Sequence, residues 1–293
     1  MLSRFAPLAF VLTVPCYAAD PTGLFTVRKQ VEEARVTFSV QDARGGPVSG
    51  LTRDEVRVVN DGHVISQITS FYGYENVPLR LTILLDASDS MSRRVGDETQ
   101  MARDLLRSIV RPGLDEARIS SFAGRAHSVA EISQVGFQGL KAGGQTALYD
   151  AMYGEMASLN ERSAGPVRRI MILFSDGEDN WSEHNLEDVI AAAQQADTAI
   201  YTITAHSHRY VYAGDRVLRQ LAERTGGHAF FLRSFDKPEL IYHAMQAELR
   251  AHYVLVFRPA SASGFHTLTI FPRNSRLKVR SRKGYYVEPR IDP

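Results

Sequence analysis

Three short stretches of this chain concentrate oxygen donors. They are Asp86-Ala87-Ser88-Asp89-Ser90-Met91-Ser92, then Gly143-Gly144-Gln145-Thr146-Ala147-Leu148-Tyr149-Asp150, then Ser175-Asp176-Gly177-Glu178-Asp179-Asn180. Brought together, Asp86, Ser88, Ser90, Thr146 and Asp176 would offer two carboxylates and three hydroxyls. Such an all-oxygen set suits a hard divalent cation: Mg2+ first, with Mn2+ and Ca2+ as alternatives. It needs no thiolate or imidazole, which disfavours zinc. The hydroxyls are neutral, so a bound cation would keep part of its positive charge. Mg2+ also retains waters in an octahedral shell, which leaves a position for a carboxylate brought from outside. A purely structural cage would fill every position from its own chain. Ser, Thr and Asp also favour helix caps and turns, but caps alone do not call for three such loops at one sheet edge.

The elements that must position these loops follow from the apolar pattern. Leu81-Thr82-Ile83-Leu84-Leu85 and Ile170-Met171-Ile172-Leu173-Phe174 read as strands buried on both faces. Residues 119–123, 129–132, 199–204 and 229–232 read as further strands. Helical spacing links Met101, Leu105, Leu106, Ile109 and Val110, and likewise Leu148, Met152, Met156 and Leu159. It recurs at Leu186, Val189, Ile190 and Ala193, and at Leu240, Ile241, Ala244, Met245 and Leu249. Another helix carries Val217, Leu218 and Leu221 and stops at Gly226-Gly227. The alternation predicts an α/β, Rossmann-like fold, a mainly parallel sheet with helices on both faces. Ligands of such sheets bind beyond the carboxyl ends of the strands, where the three oxygen-rich loops begin.

The flanks read differently. Residues 24–75 alternate over Val36–Val40 and Ile65–Tyr72, with Asn60-Asp61-Gly62 as a two-residue hairpin signal. After residue 250 the pattern returns to strands at 252–257, 267–271, 277–280 and 285–287. The N-terminal piece alone would leave open edges. The tail is therefore expected to complete a small antiparallel β-sandwich module, with residues 78–250 inserted between its halves at 20–77 and 251–293.

Composition excludes several classes. Of 293 residues, 34 are Lys or Arg and 33 Asp or Glu, a net charge of +1, so the chain is not a basic nucleic-acid binder. Residues 1–19 have the layout of a secretory signal peptide: Arg4, an apolar stretch from Phe5 to Val14, and small residues at Ala18 and Ala19. That stretch is about half the ~20 residues of a membrane span, so export to the periplasm or beyond is expected, without a transmembrane segment. The single cysteine, Cys16, would leave with the signal; a lipid anchor there is disfavoured by Pro15.

With these residues in view, the chain resembles the von Willebrand factor A domains. Asp86-x-Ser88-x-Ser90, Thr146 and Asp176 are similar, in order and context, to the elements of their metal-ion-dependent adhesion site. The resemblance spans roughly residues 78–248. The flanks are similar to a bacterial, Acidobacterial-type family of exported von Willebrand A-related proteins, through Val48-Ser49-Gly50-Leu51-Thr52, Tyr253-Val254-Leu255 and Arg282-Lys283-Gly284-Tyr285-Tyr286. One departure is Asp89, where that pattern usually has Gly; its carboxylate would either add charge near the metal or point to solvent.

The resemblance implies a non-enzymatic binding protein that receives an Asp or Glu of a protein partner on its cation. Asp89, Glu178, Trp181 and His206 are candidates for the ligand-facing rim. An assembly scaffold with a structural metal is the alternative. A Mg2+-dependent hydrolase is a lesser one, because position 88 is Ser where haloacid-dehalogenase-like enzymes resemble Asp-x-Asp. No Gly-x-Ser-x-Gly, His-Glu-x-x-His or phosphate-loop motif is present. Arg276, Lys278, Arg280 and Arg282 are expected on one face of an alternating strand, keeping an edge soluble.

Overall fold

The computed structural model describes residues 33–73, 77–123, 130–131, 143–159, 167–205, 212–232, 238–250, 252–259 and 263–287. The signal-like segment, Cys16, Val129, Ile132 and His206 lie outside the described residues. No helix among the described residues is long and apolar enough to cross a membrane.

The apolar run at 81–85 forms strand β5 (Leu79–Asp86), and the run at 170–174 forms β8 (Arg168–Phe174). They pair in parallel, with Leu81 opposite Ile170 and Leu85 opposite Phe174. With β6 (Glu116–Phe122), β7 (Ala130–Glu131), β9 (Thr198–Ala205) and β10 (Ala229–Leu232), they make a six-stranded sheet ordered β10-β9-β8-β5-β6-β7. The first five are parallel and the short edge strand β7 is antiparallel.

Helices cover both faces: α1 (Val95–Ile109), α2 (Leu148–Leu159), α3 (Leu186–Gln195), α4 (Ala213–Thr225) and α5 (Pro238–Arg250). Alternate residues of the central strands supply two cores, as period-2 geometry requires. Leu81, Ile83, Leu85, Ile170, Ile172 and Phe174 pack with Met101 and Leu105 of α1 and Met245 of α5. Leu84, Met171 and Leu173 pack with Met152, Ile190 and Leu218 of α2, α3 and α4.

Strands from the two ends of the chain interleave beside this unit. One antiparallel sheet runs β13 (Lys278–Ser281), β1 (Ala34–Gln41), β11 (His252–Phe257) and β4 (Ile68–Gly73). The other runs β14 (Gly284–Val287), β12 (Gly264–Pro272), β2 (Val56–Asn60) and β3 (His63–Val64). Their shared core holds Val36, Phe38, Val58, Leu255, Phe257, Leu268 and Ile270. The hairpin signal at Asn60-Asp61-Gly62 is met: Asn60 pairs with His63, and Asp61 and Gly62 take φ of 48° and 79°.

Strand β11 explains its own unbroken hydrophobicity. Tyr253, Leu255 and Phe257 face the core of the antiparallel sheets, while Val254 and Val256 face the core beneath α1 and α5.

The residues of the flank motifs have physical roles. The Tyr253 hydroxyl donates to the carbonyl of Val48 at 2.8 Å and accepts from the amide of Leu51 at 2.9 Å. Tyr285 donates to Oδ1 of Asn60 at 2.7 Å. A side chain at Gly284 would strike Phe265, its Cβ lying 2.2 Å from that ring. Arg282 corrects the sequence expectation. It is buried rather than on a solvent face, donating to the carbonyl of Gln194 at 2.8 Å and pairing with Asp197 at 3.2 Å. Arg276 and Lys278 are exposed as expected, but Arg276 precedes the strand, and Arg280 is half-buried with its guanidinium 3.5 Å from the Glu248 carboxylate.

Candidate metal centre

Strand β5 ends on Asp86 because the apolar run stops there, and the chain then turns through Ala87 and Ser88 into one turn of 3-10 helix, Asp89–Met91. Asp86 is 0% exposed and Ser88 1%. The Ser88 amide donates to Oδ1 of Asp86 at 3.0 Å, and the hydroxyls of Ser88 and Ser90 lie 3.2 Å apart. Strand β8 ends beside β5. Its next residue, Ser175, donates its hydroxyl to Oδ2 of Asp86 at 2.7 Å. Asp176 follows, half-buried, with its Oδ1 accepting from the amide of Glu178 at 3.1 Å.

The loop before α2 is stitched to both others. The Gly143 amide donates to the carbonyl of Ala87 at 2.9 Å, and the Asp89 amide to that of Gly144 at 3.3 Å. Thr146 is buried. Its amide donates to Oδ1 of Asn180 at 2.9 Å, and its carbonyl accepts from the amides of Asn180 and Trp181. All three oxygen-rich loops therefore meet at the carboxyl edge of the parallel sheet. The loop carrying Asp176 is held by contact with α4: a Cβ on Gly214 would lie 2.0 Å from the carbonyl oxygen of Asp176.

The electrostatics are those of negative charge awaiting a counter-charge. Burial pushes the Asp86 carboxyl up to about 6, against the hydrogen bonds from Ser88 and Ser175, and the negative charge of Asp176 adds to the rise. Among the described residues, no lysine or arginine pairs with Asp86. No group of three His, Cys, Asp or Glu side chains among them stands ready to hold a metal either. The donor set here is instead carboxylates plus hydroxyls, which suits a hard divalent cation.

Of the rim candidates, Asp89 and Glu178 are exposed and Trp181 is 42% exposed. The Asp89 carboxylate reaches back toward the second loop, 3.6 Å from where a Cβ on Gly143 would sit. Sequence reasoning did not assign Ser175 or Asn180 a part in the site. Ser175 carried one signal, its place directly between a buried strand and Asp176.

The comparison that decides the family is a match to the von Willebrand factor type A domain over residues 81–244, more than half of the chain. The chain belongs to that family. No curated protein matches this von Willebrand A chain. Among solved structures it is similar to proximal thread matrix protein 1 from the mussel byssus, with a zinc-occupied MIDAS motif, at 18% identity and TM-score 0.45. That alignment covers 62% of this chain and 48% of that one. It is also similar to the pilus adhesin SpaC from Lactobacillus rhamnosus GG in its open conformation, at 10% identity and TM-score 0.47, covering 84% of this chain and 47% of that one. The SpRpn10 VWA domain aligns at 13% identity and TM-score 0.41, covering 52% of this chain and 87% of the domain. The chain spans about half the length of the thread matrix structures it matches. Likenesses this remote say nothing of what this von Willebrand A chain binds.

Proposed function

We propose that this is an exported, non-enzymatic binding protein whose A domain engages a protein partner through a divalent cation, Mg2+ in the first instance. Asp86, Ser88, Ser90, Thr146 and Asp176 would hold the ion, which when bound supplies a positive centre able to accept a carboxylate. The observation that supports this most is the buried Asp86 carboxylate at the meeting point of the three loops, close to the negative charge of Asp176. Two carboxylates beside neutral hydroxyls add no negative charge beyond what a divalent ion balances, and they leave a position in its shell open, so an Asp or Glu of the partner is the matching ligand. Glu178 and Trp181, exposed on the loop after Asp176, would form part of the surface that the partner meets. The antiparallel module made from both flanks would carry the A domain. The flank motifs resemble those of a bacterial, Acidobacterial-type family of exported proteins, a resemblance in keeping with this role.

The test is calorimetric titration of the full chain with Mg2+, Mn2+ and Ca2+, then capture of partners from the native envelope with and without EDTA. Binding of a cation lost in Asp86→Ala, and of a partner lost with EDTA, are expected. Absence of heat with all three ions would overturn the site. Partner binding that survives EDTA and Asp176→Ala would favour a scaffold with a structural metal instead.

A further inference from the structure

Helix α1 turns one stripe toward the sheet: Glu98, Met101, Ala102, Leu105 and Ile109 are all buried along it. Met101, Ala102, Leu105 and Ile109 fill the core against Leu81, Ile83 and Leu85. Glu98 holds the position one turn nearer the start of the helix, toward the edge where β5 runs out into Asp86. Residues three and four apart on a helix share a face. Pattern alone would therefore put an apolar side chain there.

The carboxyl that occupies it accepts no hydrogen bond. Glu98 is 1% exposed, and neither Oε1 nor Oε2 has a hydrogen-bond partner. An isolated buried carboxylate is among the costliest groups a fold can carry unless it is paired or meets a cation. Burial pushes its carboxyl up to about 8. Arg94, one turn earlier, opposes the rise; Asp86, Asp176 and Asp97 add to it. Two of those three neighbours are the carboxylates of the cation site. Glu98 stands in the first turns of the helix that follows β5 and its terminal Asp86, so beside Arg94 the counter-charge this end of the helix can offer is the ion that Asp86 and Asp176 would share.

We propose that Glu98 is a third carboxyl of the cation site, which gives up its proton as the ion binds and then acts on it through its charge from outside the ligating set, raising the affinity for divalent cations. This rests on the cation-site reading given under Proposed function. Direct ligation is not invoked, because no three acidic, His or Cys side chains among the described residues are close enough to hold an ion together. Groups behind the ligands commonly govern affinity, and the number of negative charges at a site sets its strength for hard cations.

The test uses the full chain and the metal alone. Calorimetric titrations with Mg2+, Mn2+ and Ca2+ are run on the unaltered protein, Asp86→Ala, Glu98→Gln and Glu98→Asp, beside thermal melts with EDTA and with saturating cation. Glu98→Gln is expected to weaken cation binding about 10- to 100-fold, to raise the melting temperature in EDTA and to shrink the rise produced by the cation. Glu98→Asp, which keeps the charge, should retain more of the affinity. A Gln variant with lower stability in EDTA and unchanged cation affinity would show a merely structural residue and overturn the proposal, with the site left standing. No heat from the unaltered protein would overturn the site itself, and Glu98's role with it. If the Gln variant does not fold, Glu98→Met takes its place: weakened cation binding supports the charge requirement, and unchanged affinity overturns it.

Discussion

The hydroxyl of Ser175 donates a 2.7 Å hydrogen bond to Oδ2 of Asp86, joining the ends of two neighbouring parallel strands at the floor of the candidate cation site. Ser175 is itself 0% exposed and its oxygen also accepts from the amide of Gly177 at 3.0 Å. One hydroxyl thus holds the first carboxylate in place and shapes the loop that carries the second.

Ser175→Ala should accordingly damage the site without removing a ligand. The lost bond leaves a buried carboxylate oxygen and a buried amide unpaired, a cost of about 1–3 kcal/mol. Cation affinity is expected to fall about 10-fold or more, as for other groups that orient a ligand. Urea denaturation in EDTA and calorimetric titration read the two effects separately. Unchanged affinity in a folded variant would show that Asp86 needs no such support.

Gly214→Ala should act from the first turn of α4, with no ligand altered. The added Cβ would sit 2.0 Å from the carbonyl oxygen of Asp176, so the helix or the Asp176 loop has to move. Overpacking of this kind costs about 1–3 kcal/mol. The displacement should also lower cation affinity, because Asp176 rides on the shifted backbone. Gly96→Ala, where nothing lies within 4 Å of the new Cβ, is the control expected to do neither.

Acid sensitivity should trace in part to His252, far from the cation site. It is 2% exposed; its Nε2 lies 2.7 Å from Nη2 of Arg168 and its Nδ1 2.6 Å from the carbonyl of Glu248. Arginine can only donate, so Nε2 accepts and the ring is neutral with its proton on Nδ1. Burial, and then the Arg168 charge, hold this imidazole well below its ordinary value near 6.5. Below about pH 6.5 the unfolded chain binds a proton at this ring that the folded chain refuses. The stability contributed by this ring therefore falls as the pH drops from about 7.5 to 5.5, while the raised carboxyls of Glu98 and Asp86 act in the opposite direction, so the comparison with a His252 variant isolates it. His252→Gln should be less stable at neutral pH but lose less on acidification. Urea midpoints across that range measure it, and parallel slopes for the two proteins would contradict the assignment.

Much of this arrangement is legible in local pattern. The strands at 81–85 and 170–174 announce themselves by unbroken apolar runs, because each is buried on two faces. The five oxygen donors sit directly after such strands or before a helix, in loops that a parallel sheet gathers on one edge. Residue 282 misled for an equally physical reason. In an alternating run of basic residues, nothing local distinguishes the arginine that finds Asp197 and the carbonyl of Gln194 from those left in solvent.

By itself, then, the sequence determined the donor chemistry, its order along the chain and the alternation of elements that holds it, since residue type and periodicity are local properties. Tertiary structure alone decided which groups surround those donors. Ser175 bonds to a residue 89 positions earlier. Gly214 limits the loop of Asp176 from another helix, and Glu98 enters the same field from α1. The protonation and orientation of a buried carboxylate depend on water excluded and charges brought near by distant segments. Those quantities exist only once the chain has packed.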